Sequence, residues 1–94
     1  MTTNFGLKET VLQEVRDTVA KYDRRAKVFG SRAMGNERRY SDIDIAVYGD
    51  TNASDLHDAL DDLDIIYTCD VVNYDKLRNI DLKRHIDEYG VDLF

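Results

Sequence analysis

Residues 28–48 read VFGSRAMGNERRYSDIDIAVY, and the rest of the chain is arranged around them. The stretch opens on the apolar pair Val28-Phe29 and turns at Gly30-Ser31. It then runs through a polar connector containing Arg32, Arg38 and Arg39, and closes on Asp42-Ile43-Asp44 leading into Ile45-Ala46-Val47. The second half has a period of two. Ile43, Ile45 and Val47 fall on one face of a strand, and Asp42 and Asp44 fall on the other. A rise of about 3.3 Å per residue sets the Cα atoms of the two aspartates roughly 6–7 Å apart. Unpaired, such carboxylates repel and one tends to take up a proton. At the mouth of a pocket they suit a divalent cation, because Mg²⁺ accepts one or two carboxylates and fills its other positions with water and phosphate oxygens. The plainer use of the same residues is as strand-start caps or ion-pair partners.

The Gly30-Ser31 turn supplies the other half of a site. Glycine permits positive φ and close backbone approach. A small hydroxyl beside exposed backbone N–H groups makes an anion cradle. Arg32 adjoins the turn, where its guanidinium is expected to reach a phosphate. Glu37, Arg38 and Arg39 read as a solvent-facing run. A phosphate cradle facing a pair of carboxylates describes a site for a nucleoside triphosphate and a metal ion.

Outward from this stretch the chain alternates helix and strand. Val11, Val15, Val19 and Tyr22 recur at three or four residues, which predicts a packing helix over 7–22. Arg24-Arg25 follow it, where positive charge suits a helix C-terminus. A short strand is expected over 26–29, one helical turn over 31–34 and the carboxylate strand over 42–48. Asn52 or Ser54 is placed to cap a helix whose apolar stripe is Leu56, Leu60 and Leu63. Asp55, Asp58, Asp61 and Asp62 make its outer face acidic and solvated. A third strand is expected over 65–73. Asp70 interrupts its apolar run, and a carboxylate there is costly to bury unless paired or metal-bound. If this strand lies about 4.8 Å from the Asp42 strand, Asp70 completes a three-carboxylate site. The alternative is a buried acid paired with a lysine or arginine. A last helix is expected over 77–89 on a Leu82, Ile86, Tyr89 stripe, with Gly90 ending it. His85 near that stripe reads as structural, and 91–94 as a short terminal strand.

The order Gly30-Ser31, ten residues, Asp42-Ile43-Asp44 resembles the signature of the DNA polymerase β-like nucleotidyltransferase superfamily. The run Tyr40-Ser41-Asp42-Ile43-Asp44-Ile45-Ala46-Val47 in so short a chain resembles its minimal nucleotidyltransferase branch. Thr68-Cys69-Asp70-Val71-Val72 is similar to the later strand that brings the family's third carboxylate, and 86–94 to its usual ending. The resemblance implies Asp42, Asp44 and Asp70 as catalytic residues and ligands of two Mg²⁺ ions, with Asp70 as the base. It implies ATP as substrate, its phosphates held by Gly30 and Ser31. It also implies a partner, since minimal members are commonly paired with a helical HEPN-domain RNase toxin. They act as the antitoxin by transferring AMP to a toxin tyrosine. Two other readings stay open: a non-catalytic nucleotide-binding or masking subunit, and a transferase acting on a small hydroxylated acceptor.

Composition bounds these expectations. The 94 residues are read as one minimal nucleotidyltransferase domain, 1–94, of α/β (α+β) class. The expected architecture is a small mixed sheet of three to four strands, with helices packed mainly on one face and the site on the other. At this size the core is modest, and a hetero-oligomer would add buried surface. A net charge of −6 argues against general nucleic-acid binding. No apolar run is long enough to cross a membrane, and residues 1–4 show no leader. The single cysteine, Cys69, forms no internal disulfide, and the expected location is cytoplasmic.

Overall fold

A frame of three short strands follows from three short apolar runs, and the C-terminal residues add a fourth. The structure is a computed structural model that describes residues 4–94. The expectation for the first three residues, no leader segment, lies outside the described residues. In chain order the elements are α1 (Glu9–Ala20), β1 (Lys27–Phe29), α2 (Ser31–Met34), β2 (Ile43–Val47), α3 (Ala53–Asp61), β3 (Cys69–Asn73), a 3₁₀ turn (Tyr74–Lys76), α4 (Ile80–Tyr89) and β4 (Val91–Asp92).

The sheet order is β3-β2-β1-β4. β1 pairs antiparallel with β2 and with β4, while β2 and β3 run parallel, joined by the α3 crossover. Two registers matter for the site. Phe29 lies opposite Asp44, and Asp44 lies beside Asp70, so these three residues form one row across the sheet. The next row on that face is Lys27, Ala46 and Val72.

The two faces bury different clusters. Leu12, Val15 and Val19 of α1, with Leu56 and Leu60 of α3, pack on Val28, Ile43, Ile45, Val47 and Cys69. Each large aliphatic chain taken fully from water there contributes about 1.5–3 kcal/mol. On the other face Ile86 of α4 closes over Phe29 and Ala46, with Val72, Leu77 and Leu82 around them. α4 therefore shares the face that carries Asp44 and Asp70. The reason is physical: Phe29, Ala46 and Val72 are an apolar stripe that needs cover on the side where the sequence reading left only the site.

Several element ends move inward from their expected places. β3 begins at Cys69, because its partner β2 begins at Ile43 and offers no ladder further back. Ile66 is left 74% exposed. α4 begins at Ile80, where the Asn79 side chain accepts from the Leu82 N–H at 3.1 Å. α3 is capped by Asn52, which accepts from the Asp55 N–H at 3.0 Å. Arg25 does not serve the α1 terminus. Its Nε donates to the buried carboxylate of Asp23 at 2.9 Å, and Asp23 also accepts from the backbone N–H of Arg25 and of Tyr48. Burial works against the Asp23 charge, but these hydrogen bonds outweigh it and hold the carboxyl below its ordinary value. Asp23 thereby ties the end of α1 to the end of β2.

Candidate active site

Gly30 ends β1 with φ 74° and ψ −155°, a region open in practice only to glycine. A Cβ at this position would overlap Oδ2 of Asp44. Glycine is thus required twice, for its backbone angles and for the space that lets the Asp44 carboxylate lie against the turn. α2 then starts at Ser31 and lasts one turn, closed by Gly35 in the left-handed region.

Asp44 is half-buried at the centre of its row, with Asp70 beside it on the edge strand. Strand spacing brings the two backbones to about 4.8 Å. Burial first, then the charges of Asp70 and Asp42, push the Asp44 carboxyl up to about 6, and His85 pulls it the other way. Asp70 is exposed. The expected cost of burying a carboxylate thus falls on Asp44, because β3 is an edge strand and its outer side is open. Asp42 lies one residue before β2 and is exposed. The structure therefore brings Asp44 and Asp70 together beside the turn and leaves Asp42 at the margin. Among the described residues no three or more His, Cys, Asp or Glu side chains converge as a ready metal cage. Asp42 and Asp70 nonetheless both act on the charge of Asp44.

Arg32 corrects the sequence reading. It is 2% exposed, and its guanidinium donates to the Ser41 carbonyl from Nε at 3.0 Å and from Nη2 at 2.9 Å. Nη1 donates to the Phe5 carbonyl at 2.9 Å, and the Tyr67 ring covers the group at 4.8 Å. The side chain turns into the protein because these carbonyls and the ring satisfy it there, so it is not displayed to a phosphate. Its effect on the site is indirect, since Ser41 immediately precedes Asp42. The Ser41 hydroxyl also accepts from the Arg38 N–H at 2.8 Å, which fixes the connector further.

One participant escaped the sequence reading. His85 of α4 accepts the Gly30 N–H on Nε2 at 3.0 Å. Its ring meets Phe29 edge-on at 6.1 Å and Tyr89 at 5.2 Å. The available signal was a polar residue adjoining Ile86 on the helix stripe, which by itself does not reveal its partner. The acidic face of α3 behaves as expected: Asp55, Asp58, Asp61 and Asp62 are exposed, and His57 lies 3.7 Å and 3.8 Å from Asp58 and Asp61.

At the site Asp42 and Asp70 are exposed and Asp44 is half-buried. Cavities of about 560, 410 and 340 Å³ are lined elsewhere, the largest at the opposite end of the sheet by Lys27, Tyr48, Tyr74 and Phe94 among others. No helix among the described residues is long and apolar enough to cross a membrane.

Comparison with curated protein sequences gives no match. Among solved structures, a chain of the "Crystal structure of the toxin-antitoxin with AMP-PNP" superposes with a TM-score of 0.60 and 28% sequence identity, over 94% of this chain and 73% of that one. The model of the family described as "Polymerase beta, Nucleotidyltransferase" matches residues 13–94. That span contains the whole sheet, the Gly30-Ser31 turn and all three aspartates, and on this footing the chain belongs to the polymerase beta nucleotidyltransferase family.

Proposed function

We propose that the protein transfers AMP from ATP to a hydroxyl of a protein partner, a tyrosine of a HEPN-type RNase toxin, and so acts as its antitoxin. One observation carries the chemistry: Asp44 and Asp70 stand in register beside a turn where any side chain would collide with Asp44. The similarity to a chain solved in a toxin-antitoxin structure with AMP-PNP supports the nucleotide and the partner.

In this reading the Ser31 hydroxyl and the backbone of the turn hold the β- and γ-phosphates. The donor set fits Mg²⁺. Two adjacent carboxylates, one of them raised to about 6 by burial and by the neighbouring acidic charges, leave the remaining positions to water and phosphate oxygens. Asp44 and Asp70 would hold the metal, with Asp42 at the margin as a further oxygen donor. When bound, Mg²⁺ supplies neutralisation of the triphosphate charge and acidifies the acceptor hydroxyl. Asp70, exposed on the edge strand, is open to an incoming hydroxyl and takes its proton. The hydroxyl oxygen bonds to the α-phosphorus, the α–β bridging bond breaks, and pyrophosphate leaves. With Asp42 and Asp70 exposed, the acceptor protein approaches the site from that side.

The test is intact mass spectrometry of the partner after incubation with this protein, ATP and MgCl₂. The wild type adds the mass of AMP, and Asp44→Asn reduces the rate at least ~100-fold, the order expected when a charge-stabilising group is removed. An unmodified partner in the wild-type reaction overturns the enzymatic reading. The exposed acidic face of α3 suits a basic partner, so masking without chemistry is the second reading. It predicts that an Asp42→Ala, Asp44→Ala double variant still neutralises the toxin.

A further inference from the structure

We propose that His85 is a positioning residue, whose Nε2 holds the Gly30 N–H and thereby sets the Gly30-Ser31 turn against the Asp44 carboxylate. Its value for nucleotide binding rests on the function proposed above; the turn-holding itself does not.

Three observations converge on it. The Nε2 acceptor lies 3.0 Å from the Gly30 nitrogen, although 55 residues separate the two in sequence. The contact crosses from α4 to the end of β1, so it is tertiary and is not a by-product of either element. Glycine has a conformational freedom that other residue types lack, so a turn built on Gly30 needs an external restraint to stay in one conformation. Asp44 Oδ2 occupies the space where a Gly30 Cβ would be, so any shift of the turn alters the room left for that carboxylate. The ring is itself held in place, edge-on to Phe29 and tilted against Tyr89. To accept on Nε2, the neutral imidazole must carry its proton on Nδ1. The Gly30 N–H is then already used within the protein, which leaves the amides after it and the Ser31 hydroxyl for phosphate.

Histidine ¹⁵N–¹H correlation spectra of the wild type read the tautomer without any substitution. Near pH 8 the Nδ1–H form is expected for His85, and the Nε2–H form overturns the proposal. Two variants separate the acceptor from the ring. His85→Phe keeps a ring against Phe29 and Tyr89 but has no acceptor, while the side-chain oxygen of His85→Gln reaches about as far as Nε2. Hydrogen exchange at the Gly30 amide is expected to speed roughly 3- to 10-fold in His85→Phe, the size of one hydrogen bond, and to return toward wild type in His85→Gln. Calorimetric affinity for Mg·AMP-PNP is expected to weaken by a similar factor in His85→Phe and to recover in His85→Gln. Equal Gly30 exchange in the wild type and His85→Phe overturns the turn-holding role. Faster exchange with unchanged nucleotide affinity overturns its relevance to the site. A wild type that binds no nucleotide would instead count against the function proposed above, with the exchange result still deciding the role of His85.

Discussion

At Asp44, burial and the charges of Asp70 and Asp42 raise the carboxyl to about 6, above the 3.8 of an unperturbed aspartate. The sign of the consequence follows from proton linkage. Between these two values the folded protein binds more protons than the unfolded chain, so this group's contribution to stability is present below about pH 4. It is lost as pH rises through about 6. Asp23, held below its ordinary value, works in the opposite sense, so the difference between Asp44→Asn and the wild type is the informative quantity. In metal-free buffer that difference in Tm is expected to move in favour of the variant by a few °C between pH 4 and pH 7. A difference independent of pH would show that Asp44 is not strained by its surroundings. Asp44 was legible in the sequence as a functional candidate because it alternates with Ile43 and Ile45. Its half-burial was not, because that depends on Gly30 lying against it.

At the scale of elements, period-two and helical stripes located the strands and helices, and the tertiary partners decided where each ended. β2 is the clearest case: Ile43, Ile45 and Val47 face α1 and α3, as their alternation requires. β3 shows the limit. Ile65, Ile66 and Tyr67 are good β-formers, but no neighbouring strand reaches them, and propensity without a partner does not make a ladder. The connector between α2 and β2 has no periodicity to read. Its order comes from Arg32, whose guanidinium bonds both Ser41 and Phe5 and lies against Tyr67. Beside a phosphate-sized turn an arginine reads as a phosphate ligand, and only the fold reveals the buried carbonyls that claim it. Arg32→Met is expected to destabilise the protein by about 3 kcal/mol, since it removes both guanidinium donors from the Ser41 carbonyl. Chemical denaturation measures it. A loss of nucleotide affinity at unchanged stability would return Arg32 to the phosphate site.

Over the whole molecule, a chain of net charge −6 concentrates its special chemistry at one end of a four-stranded sheet. The two faces divide the work: α1 and α3 build the larger core, while α4 covers Phe29 and Ala46 on the other face and leaves Asp70 exposed at its edge. The fold class and the pairing of a turn with a carboxylate strand were readable because both rest on local spacing. The sharing of a face by α4 and the site was not, because it depends on which apolar row remains uncovered once the crossover is made. Asp44 and Asp70, beside the Gly30-Ser31 turn, are proposed to hold the metal of a metal–nucleotide complex. Titration of ¹⁵N-labelled protein with Mn²⁺ and AMP-PNP tests this most directly, because amide signals near a paramagnetic ion broaden. Gly30, Ser31, Asp44 and Asp70 are expected to broaden first. Broadening confined to Asp55, Asp58 and Asp61 on the acidic face of α3, with the turn unaffected, would contradict this.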